Sequence, residues 1–279
     1  MKTTNALAMT LLGTAAACAG TTTLALHEGA ADPTTEGFTF SNAGQMLGAV
    51  GPVKGDGLQM LDAWFTDDEG TDSNLSYRAD LTAAQTAQMA SAGFRLAVRM
   101  RTPTLNDATD FGMTVQVENG ARQFLLRFGS AANGVPFVVA NGDETTFVVP
   151  GPADSYHLYE LIDDDADGDV DLYIDGNLRL ANYAGLPSSE RRVAFGDTSL
   201  TPGYGGRANW NLVVLQTFVP PACVGDVNGD SFIGFTDLNA IISRFNTECI
   251  GCPEDVNRDE QVNFTDLNIV VSSFNSDCP

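Results

Sequence analysis

Oxygen-bearing side chains recur at a fixed spacing toward the C-terminal end of the sequence. Asp226, Asn228, Asp230 and Asp237 return 29 positions later as Asp255, Asn257, Asp259 and Asp266. The run Phe235-Thr236-Asp237-Leu238-Asn239 likewise returns as Phe264-Thr265-Asp266-Leu267-Asn268, and Phe245-Asn246 as Phe274-Asn275. Carboxylate and amide oxygens at positions 1, 3, 5 and 12 of a loop wrap a hard cation such as Ca²⁺, which prefers oxygen donors. Position 7 gives a main-chain carbonyl, here from Phe232 and Gln261. Position 9 gives the Asn263 side chain in the second copy, whereas Gly234 leaves that vertex of the first copy to water. The closing residue is Asp in both copies where an EF-hand has Glu. The sixth position, usually Gly, is Ser231 and Glu260, which weakens the turn without removing a ligand. Two Ca²⁺ ions are the expected cofactors.

The elements that must hold these loops are short. Leu238, Ile241, Ile242 and Phe245 follow the first loop and Leu267, Val270, Val271 and Phe274 the second, an i, i+3, i+4, i+7 stripe that predicts one helix after each loop. No helical pattern precedes either loop. A calcium loop followed by one helix, twice over, with Asp at the twelfth position, resembles the dockerin type I module over residues 223 to 278. That resemblance implies calcium-coupled folding and a cohesin-like protein domain as partner. It also implies partner contacts from loop positions 10 and 11, here Phe235, Thr236, Phe264 and Thr265, where the family often has Ser-Thr.

Cysteine usage agrees with an oxidising compartment. Apart from Cys18, the cysteines are Cys223, Cys249, Cys252 and Cys278, all near the C-terminal end, and an even cluster of this kind reads as disulfides. A four-thiolate zinc site would more usually show two CxxC knuckles. Pairing within each copy is disfavoured, because a helix of about ten residues, ~15 Å long, separates the two cysteines, and a bridge needs Cα atoms within about 7 Å. Antiparallel packing of the copies about a pseudo-twofold axis pairs Cys249 with Cys252 and Cys223 with Cys278. At the other end, Met1-Lys2, a short apolar run and Ala17-Cys18-Ala19 read as a secretory signal cut after Ala19. A degenerate lipoprotein signal at Cys18 is the alternative. The expected location is secreted, extracellular or at the cell surface, with no transmembrane segment. With 36 acidic and 14 basic residues the formal charge is −22, which repels phosphate backbones and excludes nucleic acid as a partner. Two histidines exclude a His-rich zinc site.

The double proline Pro220-Pro221 marks the expected boundary between a domain over residues 20–220 and the repeat module over 221–279. The first of these alternates as strands do, for example Phe94, Leu96, Val98 and Met100 against Arg95, Ala97, Arg99 and Arg101. Many such segments, from Phe38–Ser41 and Leu58–Phe65 to Asn209–Phe218, with one helix over Ala83–Ala92, predict a mainly β fold: a two-sheet sandwich or jelly roll. Tyr156-His157-Leu158-Tyr159-Glu160-Leu161, an acidic turn, and Val170-Asp171-Leu172-Tyr173-Ile174-Asp175-Gly176 resemble a hairpin of concanavalin A-like (laminin G-like) lectin and glucanase domains. Ala208-Asn209-Trp210-Asn211-Leu212 is similar to their last long strand.

Two features of this domain offer further chemistry. Asp163, Asp165, Asp167 and Asp169 form a run that either chelates a third cation or makes a solvated turn. Trp64 and Trp210 are either sugar-stacking platforms or core residues. Retaining glucanases of this fold carry ExDxE or ExDxxE on one strand, with carboxylates about 5 Å apart; neither pattern is present, nor is a Ser/His/Asp triad. The expectation is therefore a secreted modular calcium-binding protein. Its sandwich recognises glycan without catalysis and its module docks to a cohesin-like partner, in the setting of polysaccharide breakdown. A glycoside hydrolase or lyase and a structural surface protein are the alternatives.

Overall fold

Period-two alternation of apolar and polar residues builds the larger part of the structure. The computed structural model describes residues 21–43, 48–68, 74–105, 113–130, 135–143, 145–151, 155–197, 206–218, 225–230, 232–249, 252–257 and 261–277. The chain divides into two units between Val219 and Pro220. Among the described residues, sixteen strands belong to the first unit: β1 (Thr21–Glu28), β2 (Thr39–Ala43), β3 (Ala49–Asp56), β4 (Leu61–Asp68), β5 (Asn74–Asp80), β6 (Phe94–Leu105), β7 (Met113–Asn119) and β8 (Arg122–Ser130) come first. After them come β9 (Pro136–Ala140), β10 (Thr146–Val148), β11 (His157–Asp163), β12 (Val170–Ile174), β13 (Asn177–Tyr183), β14 (Leu186–Pro187), β15 (Arg191–Gly196) and β16 (Gly206–Phe218).

These strands form two antiparallel sheets of eight. The first runs β13-β12-β11-β6-β16-β4-β3, and the second β10-β9-β8-β7-β15-β5-β2, with β14 on β8. Strand β16 is long enough to share one edge between two partners: Gly206 to Trp210 pair with β4, and Leu212 to Phe218 pair with β1. The core lies between the sheets, with Leu96, Val98, Met100, Tyr159, Leu161, Trp210 and Leu215 meeting Val115, Val117, Phe124, Leu126, Phe128 and Phe195. Helix α1 (Ala83–Ala92) matches its expected bounds because Thr82 and Gln85 form a reciprocal capping box at its start. Three strands of this unit were not expected from the pattern: β14, β1 and β3. The last carries Gly51, Pro52 and Gly55, residues that read as turn signals but are tolerated at a sheet edge. The expected Leu58–Phe65 strand begins only at Leu61; Leu58 to Met60 belong to the β3–β4 turn, where Met60 has φ 53°.

The second unit contains helices α2 (Phe235–Ser243) and α3 (Phe264–Ser272) and four short strands: β17 (Phe232–Ile233), β18 (Thr247–Glu248), β19 (Gln261–Val262) and β20 (Ser276–Asp277). Strand β17 pairs with β20 and β18 with β19, so each loop pairs with the tail of the other copy. The exchange repeats in detail. Asn246 N–H donates to Val262 O at 2.7 Å and Asn275 N–H to Ile233 O at 2.8 Å. Phe235 meets Phe274 edge-on at 4.9 Å, and Phe245 meets Phe264 edge-on at 4.8 Å. The core is Val227, Ile233, Ile241, Val262 and Val270 with Cys249 and Cys252. The expected apolar stripe is narrower than predicted, since Ile242 and Val271 are exposed; the nine-residue helices present Leu238, Ala240 and Ile241, and Leu267 with Val270, to this small core.

A disulfide joins Cys249 to Cys252, with Cα atoms 5.8 Å apart. Cys223 and Cys278 lie outside the described residues. The twofold exchange makes their pairing the symmetric counterpart, and a non-reducing peptide map is expected to return a Cys223–Cys278 cross-linked peptide. A Cys223 peptide linked to Cys249 overturns that expectation.

Candidate functional site

In the first repeat loop, the carboxylates of Asp226, Asp230 and Asp237 offer oxygens that all lie within 4.8 Å of one another. The hydrogen bonding that gathers them is local. Asp237 Oδ1 accepts from Val227 N–H at 2.9 Å and Asn228 N–H at 3.0 Å, while its Oδ2 accepts from Gly234 N–H at 2.8 Å. Asp226 Oδ1 accepts from Gly229 N–H at 2.8 Å and Asp230 N–H at 3.1 Å. Asn228 Nδ2 donates to Asp230 Oδ2 at 2.9 Å. Asp226 and Asp237 are buried, and Asn228 and Asp230 exposed: a floor of fixed carboxylate with an open rim.

The second loop repeats the floor. Asp266 Oδ1 accepts from Val256 N–H at 2.8 Å and Asn257 N–H at 3.1 Å, and its Oδ2 from Asn263 N–H at 2.8 Å. Asp255 is buried, and Asp259 lies outside the described residues. Asn263 Oδ1 accepts from Thr265 N–H at 2.7 Å and so caps α3. The carbonyl-bearing Phe232 and Gln261 open β17 and β19. Phe235, Thr236, Phe264 and Thr265 are all exposed at the starts of the two helices.

Within the sandwich, the two tryptophans are core residues. Trp210 is fully buried and Trp64 nearly so; Trp64 Nε1 donates to Tyr77 Oη and Trp210 Nε1 to Thr66 Oγ1, each at 2.9 Å. Trp64 and Trp210 pair across β4 and β16 and both belong to the core between the sheets, which is the core alternative of the two offered by the sequence.

A polar face was missed by sequence reasoning. Met113, Val115 and Val117 of β7 point into the core, which turns Thr114, Gln116 and Glu118 to the outer face of the second sheet. Ser41, Ser76, Gly196, Thr114, Arg127 and Val139 lie side by side across β2, β5, β15, β7, β8 and β9. Ser76, Thr114 and Gln116 are 5% exposed and Glu118 1%, so this outer face carries a buried polar layer. Glu118 Oε1 accepts from Arg192 Nε and Nη2 at 3.0 and 2.9 Å and from Gln116 and Gln123 at 3.0 and 3.1 Å, and Ser188 Oγ donates to Oε2 at 2.7 Å. The alternation Met113-Thr114-Val115-Gln116-Val117-Glu118 was the signal that could have found it.

On the first sheet's outer face, Asp56 accepts from Arg101 Nε at 2.6 Å, Tyr156 Oη at 2.7 Å and Asn209 Nδ2 at 2.6 Å. Burial raises the Asp56 pKa, but the hydrogen bonds from Arg101, Asn209 and Tyr156 outweigh it and hold the carboxyl well below the usual range. Arg95 pairs with Glu160 on the same face.

The acidic turn between β11 and β12 brings Asp163, Asp165 and Asp167 together, with one oxygen from each inside a 4.8 Å set. Asp169 N–H donates to Asp167 Oδ1 at 2.9 Å, which makes Asp169 a backbone partner of that set.

No protein-family model and no curated protein matches the chain. Among solved structures, a conserved carbohydrate esterase from Shiga toxin-encoding bacteriophage phi24B aligns with a TM-score of 0.52 and 13% identity, over 72% of this chain and 100% of that one. Peanut lectin aligns at 0.43 and 10% identity, over 72% and 99% of the two chains, and a cellulose-induced protein at 0.40 and 12%, over 66% and 92%. At these identities the first match speaks to fold alone: the larger unit is a β-sandwich of the kind the phage esterase has.

Proposed function

We propose that this is a secreted modular protein whose sandwich binds glycan without cleaving it, in a concanavalin A-like manner, and whose C-terminal unit is a dockerin-like calcium module. The observation that carries the sandwich reading is the buried polar layer on the outer face of the second sheet. A hydrogen-bonding floor of Ser76, Thr114, Gln116 and Arg127 suits a polyhydroxylated ligand, which is held by few, well-placed polar groups. Strand β15 ends at that row, and β5 and β7 begin within two residues of it, so the row lies at the ends of rigid strands, a usual setting for a binding site. The carbohydrate esterase that shares the fold supports a saccharide as the ligand class. Glu118 is the one carboxylate of β7 on this face, and its Arg192 and amide partners fit a structural anion better than a general acid.

The repeat loops support the second half of the reading. Residues Asp226, Asn228, Asp230, Asp237 and the Phe232 carbonyl would hold one Ca²⁺. Asp255, Asn257, Asp259, Asp266, the Gln261 carbonyl and Asn263 would hold the other. Exposed Phe235, Thr236, Phe264 and Thr265 would meet a cohesin-like domain.

The test is retention on insoluble polysaccharides combined with a reducing-sugar assay on the full chain. Retention without sugar release, weakened at least tenfold in Arg127→Ala with unchanged circular dichroism, is the expected result. Sugar release establishes a hydrolase instead, and the absence of both retention and release leaves a structural protein.

A further inference from the structure

Asp163 is the last residue of β11 and pairs with Phe94 of β6. Period two places it on the same face as Tyr159 and Leu161, which are core residues, so its carboxylate is carried under the rim of the sandwich and not into solvent. It is 3% exposed, and its Oδ1 is buried without a hydrogen-bond partner. Among the described residues, no Lys, Arg or His ion-pairs with Asp163, Asp165 or Asp167. A solvated turn does not need this: it would leave its acids in water, as Asp165 and Asp167 are left. A buried, unpaired carboxylate calls for a cation.

We propose that the β11–β12 turn is a Ca²⁺ site of the sandwich, built by Asp163 from beneath and by Asp165 and Asp167 from the open side. The donors are all oxygen, the turn is short and adaptable, and the outer vertices face water, a combination that suits Ca²⁺ over Zn²⁺ or a strictly octahedral Mg²⁺. The position is fixed from behind: Gly93 has φ 78°, and a Cβ there would lie 2.0 Å from Asp163 O, so the end of β11 is held against the cap of α1.

Equilibrium dialysis of the full chain with Ca²⁺ tests the site. Wild type is expected to bind one ion more than Asp163→Asn/Asp167→Asn. The readout is that difference, so it stands whether or not the repeated loops bind. In an Asp226→Ala/Asp255→Ala background the total changes and the difference of one remains. Ca²⁺ should also raise the melting temperature of the sandwich in wild type and fail to do so in the hairpin variant. Equal ion counts in wild type and a natively folded hairpin variant overturn the proposal. If Asp163→Asn disturbs the fold, Asp165→Asn/Asp167→Asn, confined to exposed positions, answers in its place, with one ion lost supporting the site and none lost rejecting it.

Discussion

Asp237→Ala is expected to unfold the repeat unit. The Asp237 side chain is fully buried and accepts hydrogen bonds from the backbone of Val227, Asn228 and Gly234. Hydrogen bonds to a charged acceptor contribute about 1.5–3 kcal/mol each, so alanine removes on the order of 5 kcal/mol. That is comparable with the whole stability of a small domain, and this one rests on a core of few side chains. Far-UV circular dichroism should lose the signal of α2 and α3, and limited proteolysis should open the unit. Asp266→Ala should behave alike, because its three acceptor bonds are the same ones. Asn228→Ala, at the exposed rim, should change stability by less than about 1 kcal/mol in chelator. An Asp237→Ala variant that keeps its helices and melts as wild type does would refute the floor's role.

The second large effect belongs to Asp56. Its removal leaves the Arg101 guanidinium, the Tyr156 hydroxyl and the Asn209 amide, which are largely buried, without their shared acceptor. Breaking a buried pair by deleting one partner costs about 3–5 kcal/mol, and Asp56→Ala should lower the sandwich melting temperature by on the order of 10 °C. The pH dependence has a definite sign. The folded pKa of Asp56 lies below its ordinary value of 3.8, so the stabilisation is complete above that value and is lost as pH falls below it. Asp56→Asn should therefore flatten the acid limb of the stability profile. An acid limb unchanged in Asp56→Asn would show that other carboxylates govern it.

Strand alternation and the one helix of the sandwich were legible in the sequence. The run from Phe94 to Met100 gave β6, and the helix expected over Ala83–Ala92 is α1, whose start the Thr82/Gln85 capping box fixes. The repeat gave the two acidic loops and the helix after each, because their spacing is local. What was not legible was which way a strand faces. Trp64 and Trp210 fall in strands on either reading, and only their burial in the core between the two sheets shows that they turn inward. Asp163 looks like the first of several solvated acids until β11 is placed in register with β6. Edge strand β3 hid behind Gly51, Pro52 and Gly55, since local propensity cannot tell a turn from an edge that needs no partner on one side. The outer face of β7 required the second sheet's neighbours, all distant in sequence, to become a surface.

The exchanged pairing of β17 with β20 and of β18 with β19 makes the two loops one thermodynamic object. Neither half can finish its own backbone hydrogen bonding, so whatever orders one loop also orders the tail on which the other loop closes. The ordering free energy is shared, and a cation bound in one loop, as proposed, would leave the second already assembled for the next. If the proposed Ca²⁺ sites fill, coupling of this kind would make occupancy rise steeply with concentration, with few singly filled molecules: the response of a threshold and not of two independent sites.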